Sequence, residues 1–110
     1  MRFLWLALVI CAASARADRI SQMEKVELCV YTAKLEVAGM YYFIKGTPRE
    51  AVKLHWHGDE TENEIQFVNG AIDHAYEWLT RAQDSKARER YSAQAFGDMI
   101  YDACINGQTL

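Results

Sequence analysis

Proline and cysteine are the scarce residues of this chain: one proline, Pro48, and three cysteines, Cys11, Cys29 and Cys104, among 110 residues. With a single proline and no alternating strand pattern, nothing in the sequence marks out a sheet. A surplus of positive charge is missing too. Twelve basic residues face 15 acidic ones, for a net charge of −3. Binding nucleic acid without sequence preference needs a basic surface that displaces counterions, so the balance argues against that class of function. It also gives no attraction to anionic lipid. Repeats, linkers and low-complexity tracts are absent. No apolar run reaches the roughly 20 residues of a bilayer span.

What is present begins with residues 1–17. Arg2 gives a positive start, Phe3 to Ala13 is an almost unbroken apolar run, and Ala15-Arg16-Ala17 places small residues where a signal peptidase reads them. This is the pattern of a secretory signal peptide, with cleavage expected after Ala17. Cys11 falls within it, and Ile10 before Cys11 is larger than a lipoprotein signal accepts. The remaining residues, 18–110, form a single domain. They lose Arg2 and Arg16, which takes the net charge from −3 to −5. The expected location is periplasmic or secreted, without membrane insertion of the mature chain. In an oxidising compartment Cys29 and Cys104 should pair. They are 75 residues apart, and closing so long a loop is worth about 4 to 4.5 kcal/mol in the chain-entropy model.

Three segments place a hydroxyl three residues before a glutamate: Ser21 to Glu24, Thr47 to Glu50 and Thr61 to Glu64. Each reads as a capping box, and Pro48 suits a first helical position. The expected fold is therefore all-α, a small bundle of three long helices and one short one closed by Cys29–Cys104. Helix one runs from Gln22 to Lys45, with Met23, Val26, Val30, Ala33, Val37, Met40, Tyr41 and Ile44 as its inward seam. The short helix covers Pro48 to His57. Helix three runs from Glu62 to Gln83, with Ile65, Val68, Ile72, Ala75, Leu79 and Ala82 inward. Helix four runs from Lys86 to Ile105, with Phe96, Met99, Ile100 and Ala103 inward. The connections read as short, which predicts antiparallel neighbours.

No catalytic constellation is visible. Ser21, Ser85 and Ser92 read as caps or surface residues, no phosphate loop appears, and no carboxylates pair as in a glycosidase. The chain reads as a non-enzyme without a cofactor. The acidic run Asp59, Glu60, Glu62 and Glu64 lacks a calcium loop's spacing and suits the positive end of a helix dipole. His55, His57 and His74 are the candidate metal ligands or pH sensors. Against metal, residues two apart on a helix point to nearly opposite faces. Tyr41, Tyr42 and Phe43 cannot all face one way, so either the loop and the short helix cover the remainder or an aromatic patch is exposed; the interaction reading takes Tyr42, Phe43, Trp56 and Trp78 as that surface. Asp98 and Asp102, four apart with no local base, either meet a base from another helix or form an acidic strip for a basic partner.

Cys29, Lys45-Gly46, Ala75-Tyr76 and Phe96-Gly97-Asp98-Met99-Ile100-Tyr101-Asp102-Ala103-Cys104 together carry a resemblance. The chain resembles a group of small, uncharacterised secreted one-disulfide helical proteins of bacteria, plasmids and phages, over nearly all of residues 18–110. It departs from them at Trp78, where that layout has a proline. The resemblance implies a fold and a compartment and no activity. A weaker likeness is to periplasmic immunity proteins of the Rap and Tai kind, with no motif carrying their activity over. The functional expectation is a non-enzymatic interaction module of the bacterial envelope, of inhibitor, immunity or exclusion type, binding a protein partner. The alternative is a metal-binding or pH-responsive protein using His55, His57 and His74. The partner and oligomeric state are left open.

Overall fold

The structure is a computed structural model describing residues 18–82 and 92–110. The expected signal peptide, Cys11, Gln83, Ser85 and the expected helix start at Lys86 lie outside the described residues. Among the described residues four α-helices form: α1 (Arg19–Gln22), α2 (Lys25–Ile44), α3 (Glu62–Arg81) and α4 (Ala93–Ile105). No strand occurs among the described residues. The protein is a small all-helical bundle, and Cys29 is bonded to Cys104 with their Cα atoms 5.5 Å apart. No described helix is long and apolar enough to cross a membrane.

The caps explain most helix starts. Thr61 accepts from the Glu64 N–H at 3.1 Å, as its capping box predicts, and Ser92 accepts from the Ala95 N–H at 3.1 Å. Ser92 is extended, and α4 begins at Ala93. The Ser21 box fails. Ser21 sits inside α1 and donates to the Asp18 carbonyl, while the Asp18 carboxylate takes the cap by accepting from the Ile20 N–H. Met23 is extended and α2 restarts after Glu24. At the other end of α2, Gly46 adopts φ 80°, and the N–H of Thr47 reaches back to the Tyr42 carbonyl. A residue with a Cβ would be strained there.

The expected helix from Pro48 to His57 does not form. A single 3₁₀ turn, Arg49–Ala51, gives way to extended backbone at Val52, and no helix follows until Glu62. The reason is readable in Val52-Lys53-Leu54-His55. Burial alternates along it, with Val52 buried, Leu54 half-buried, and Lys53 and His55 exposed. A helix would scatter these two apolar side chains, whereas extended backbone puts both on one side.

This segment is a strap that changes the topology. Tyr31 stacks on Phe67 at 5.9 Å, Gly39 lies against Ile72 and Ala75, and Phe43 meets Tyr76 edge-on at 5.4 Å. Residue numbers rise together along both helices, so α2 and α3 are parallel, not antiparallel. The strap returns the chain to the start of α3. The Tyr76 hydroxyl donates to the Thr47 carbonyl at 2.7 Å, and Arg49 binds Asp73 at 2.5 Å and the Asn69 side chain at 3.0 Å. The far end is fastened by α1, where Arg19 contacts Asp59 at 3.3 Å and its N–H donates to Glu64 at 3.0 Å. Helix α4 runs antiparallel to α2, since Cys104 meets Cys29 while Gly97 meets Val37.

Helix α2 is the central element, packed on one side by α3 and on another by α4. The core is Met40, Ala75, Leu79, Phe96 and Ile100, with Ala33, Val37, Phe43, Trp78, Met99 and Leu110 packed around it. A Cβ on Gly39 would lie 3.0 Å from the Ala75 Cβ, so that glycine sets how closely α2 and α3 approach.

Candidate functional site

The seam expected to face inward on α2 is only partly covered. The buried face is Cys29, Glu36, Gly39 and Met40. Val26 is 57% exposed, Val30 38%, Tyr41 61% and Ile44 60%. At 100° per residue, these four and Val37 share roughly one 60° stripe. The expected seam therefore mixes two neighbouring faces, and only Ala33, Val37 and Met40 of it pack against the core. Where α4 runs beside the stripe, Val30, Ala33, Val37, Gly97 and Tyr101 line an open groove of about 610 Å³. A Cβ on Gly97 would come within 3.1 Å of Val37, so the missing side chain lets the two helices close beneath the groove.

The groove has charged walls. Asp98 lies on the α4 wall and Lys34 on the α2 wall. Asp102, one turn after Asp98, is also exposed. Neither carboxylate forms an ion pair among the described residues, so the base from another helix that the sequence allowed is not found there. Like charges four apart cost a few tenths of a kcal/mol in a helix.

The four expected surface aromatics do not form one surface. Phe43 packs on the core and on Tyr76. Trp78 packs on the core with its ring 5.6 Å from Phe96. Tyr42 is half-buried on α2. Trp56 is 37% exposed on the strap, where it borders a cleft with Tyr31, Leu35 and Leu54. The exposed aromatic on α2 is instead Tyr41, with the Lys45 ammonium 4.7 Å above its ring.

The histidines are also divided. His55 and His57 lie together on the strap, their rings 5.8 Å apart. The objection that a helix separates them no longer applies, because that helix is absent. The Glu60 carboxylate accepts from the N–H groups of His57 and Gly58, at 2.6 and 2.8 Å. The bond from His57 holds the Glu60 carboxyl below its usual range. His74 does not join them, and no group of three metal-binding side chains converges among the described residues. A three-histidine cluster is therefore not formed.

His74 has another setting, one that the sequence pattern does not announce. Its Nδ1 lies 2.5 Å from the carboxylate of Glu36, and its Nε2 lies 3.3 Å from the main-chain oxygen of Leu110. Glu36 is 4% exposed. Burial pushes the Glu36 carboxyl above its usual range, against the opposing pull of His74. Burial alone would lower the His74 imidazole, but the bond to Glu36, its charge and the bond to the Leu110 main chain together outweigh this and raise it above its usual value. A signal for this pair exists. If Cys29 faces inward to reach Cys104, helical geometry turns residue 36, seven positions on, the same way.

No family model matches the chain, and no curated protein or solved structure matches it significantly.

Proposed function

We propose that this protein is a small exported interaction module of the bacterial envelope, of inhibitor, immunity or exclusion type, and that it acts without catalysis. The observation that carries this reading is the apolar stripe on α2, Val26, Val30, Tyr41 and Ile44, left exposed beside the groove with α4. Val26 and Val30 toward one end of α2, and Tyr41 and Ile44 toward the other, face outward instead of extending the core. Exposed apolar side chains rimmed by polar ones are characteristic of protein–protein contact sites. Asp98 and Asp102 beside it favour a partner surface that combines apolar side chains with lysine or arginine. Export is supported by the pattern of residues 1–17 and by the disulfide, a bond that persists in oxidising compartments.

The test separates surface from core. A photo-crosslinking residue is placed at Gln94, on the groove wall, in cells exporting the protein. A discrete protein adduct is expected, reduced at least tenfold by Tyr41→Ser with Ile44→Ser. These exposed changes should leave the unfolding free energy within about 0.5 kcal/mol. Trp78→Ala should instead cost about 3 kcal/mol, because Trp78 packs on the core. An adduct of undiminished yield in the double variant would remove the stripe from the function.

A further inference from the structure

His74 stands between two acceptors on different elements. The Glu36 carboxylate of α2 faces Nδ1, and the main-chain oxygen of Leu110, beyond α4, faces Nε2. A deprotonated carboxylate and a main-chain oxygen only accept. The ring serves both when it is an imidazolium with hydrogen on both nitrogens. It also serves both when Glu36 carries the proton and donates to Nδ1, leaving Nε2–H for Leu110. Both arrangements hold one proton more than the carboxylate with a neutral ring. In that last form the single ring hydrogen reaches one acceptor, and the other oxygen faces a nitrogen lone pair.

The segment being held is defined by its own bonds. Gly107 and Gln108 donate to the carbonyls of Cys104 and Ala103, fixing the turn after α4. Beyond Gln108, the bond from His74 is the one hydrogen bond to the segment among the described residues. The Leu110 side chain lies against the core cluster, and Thr109 and Leu110 border a cavity of about 220 Å³ lined also by Thr32, Glu36, His74, Ile100 and Ala103.

We infer that Glu36 and His74 form a proton-dependent latch, which fastens Thr109 and Leu110 over this cavity while the pair keeps its extra proton and releases them when that proton leaves. The groups facing the pair set the direction. Helix α2 contributes Glu36. Helix α3 contributes Arg81, whose charge opposes protonation of His74 without cancelling the effect of Glu36. Helix α4 presents Ile100, Ala103 and the bonded Cys104, none of which titrates. Both members of the pair lie above their usual values, so the folded state holds protons more tightly than the unfolded chain. Stability from His74 is therefore complete below the ordinary imidazole value of 6.5 and is lost as pH rises through its higher folded value. Glu36 acts in the same direction, because losing its proton leaves a buried carboxylate. The latch closes on the acid side and opens on the alkaline side.

The test follows the backbone ¹⁵N heteronuclear NOE of Thr109 and Leu110, together with the ¹⁵N shifts of the His74 ring, from about pH 5 to about pH 9 with the disulfide intact. In the wild-type protein the two residues should be rigid at the acid end and mobile at the alkaline end, with the midpoint tracking His74. In Glu36→Gln the introduced side-chain amide donates to Nδ1 of a neutral ring, Nε2–H remains for Leu110, and rigidity should persist across the range. In His74→Gln the step should vanish. A wild-type segment without a step, or a step of unchanged midpoint in His74→Gln, would overturn the latch.

Discussion

Replacing Cys29 and Cys104 together with alanine should lower the unfolding free energy by about 4 to 4.5 kcal/mol, the worth of closing a 75-residue loop. At roughly 0.05–0.15 kcal/mol per residue, a chain of this size has a total stability of only about 5 to 15 kcal/mol, so the loss is a large part of the whole. The effect is topological. The bond joins the second turn of α2 to the last turn of α4, and so encloses nearly all of the fold. Its removal leaves α4 held by the contacts of Phe96, Ile100 and their neighbours with α2 and α3. Urea titration should show a lower midpoint and a steeper dependence on denaturant, because the uncrosslinked unfolded chain exposes more surface. A loss under about 1 kcal/mol would mean that the unfolded chain keeps α2 and α4 together without the bond.

Phe96→Ala should cost about 3 to 5 kcal/mol. Phe96 is fully buried and belongs to the cluster of Met40, Ala75, Leu79 and Ile100, with Trp78 against its ring. It thus joins all three long helices. Helices α3 and α4 make few backbone approaches to each other, so side chains such as Phe96 carry much of their contact. Truncation opens a void bounded by α2, α3 and α4, and no single helix can shift to fill it without losing a second interface. The measurement is the unfolding free energy of the oxidised variant. A cost below about 1.5 kcal/mol would show that the three helices re-pack around the missing ring.

How much of the molecule is legible in the sequence depends on which physical signal dominates each segment. Helix α3 is strongly one-sided, and its periodicity alone picks out Val68, Ile72, Ala75 and Leu79 as the inward face. Helix α2 is apolar around most of its circumference, so periodicity cannot choose between the face with Cys29 and Met40 and the face with Val30 and Ile44. The disulfide makes that choice, and Glu36 follows Cys29 inward. The strap is hidden because Thr47 and Pro48 resemble a helix start, while the alternation from Val52 to His55 is too short to outweigh them. The parallel order of α2 and α3 is hidden with it, since a helical connection would be compact and a straight one spans the bundle. Whether Phe43 and Trp78 are core or surface is not legible, because composition cannot show what lies opposite a side chain. The exposed stripe is visible residue by residue, but its spacing reads as core.

The parallel strap also bears on the time course of folding. A helical hairpin forms its first tertiary contacts close to the turn, where little chain must be closed. Here no such starting point joins α2 to α3. Tyr31 and Phe67, and Glu36 and His74, are separated by 36 and 38 residues respectively, and every pairing between the two helices waits on a loop of about that length. Non-local pairing slows folding relative to bundles built from local hairpins. This chain should therefore assemble more slowly than an up-and-down bundle of equal size, with the bonds from Arg49 to Asn69 and Asp73 holding the start of the strap against α3.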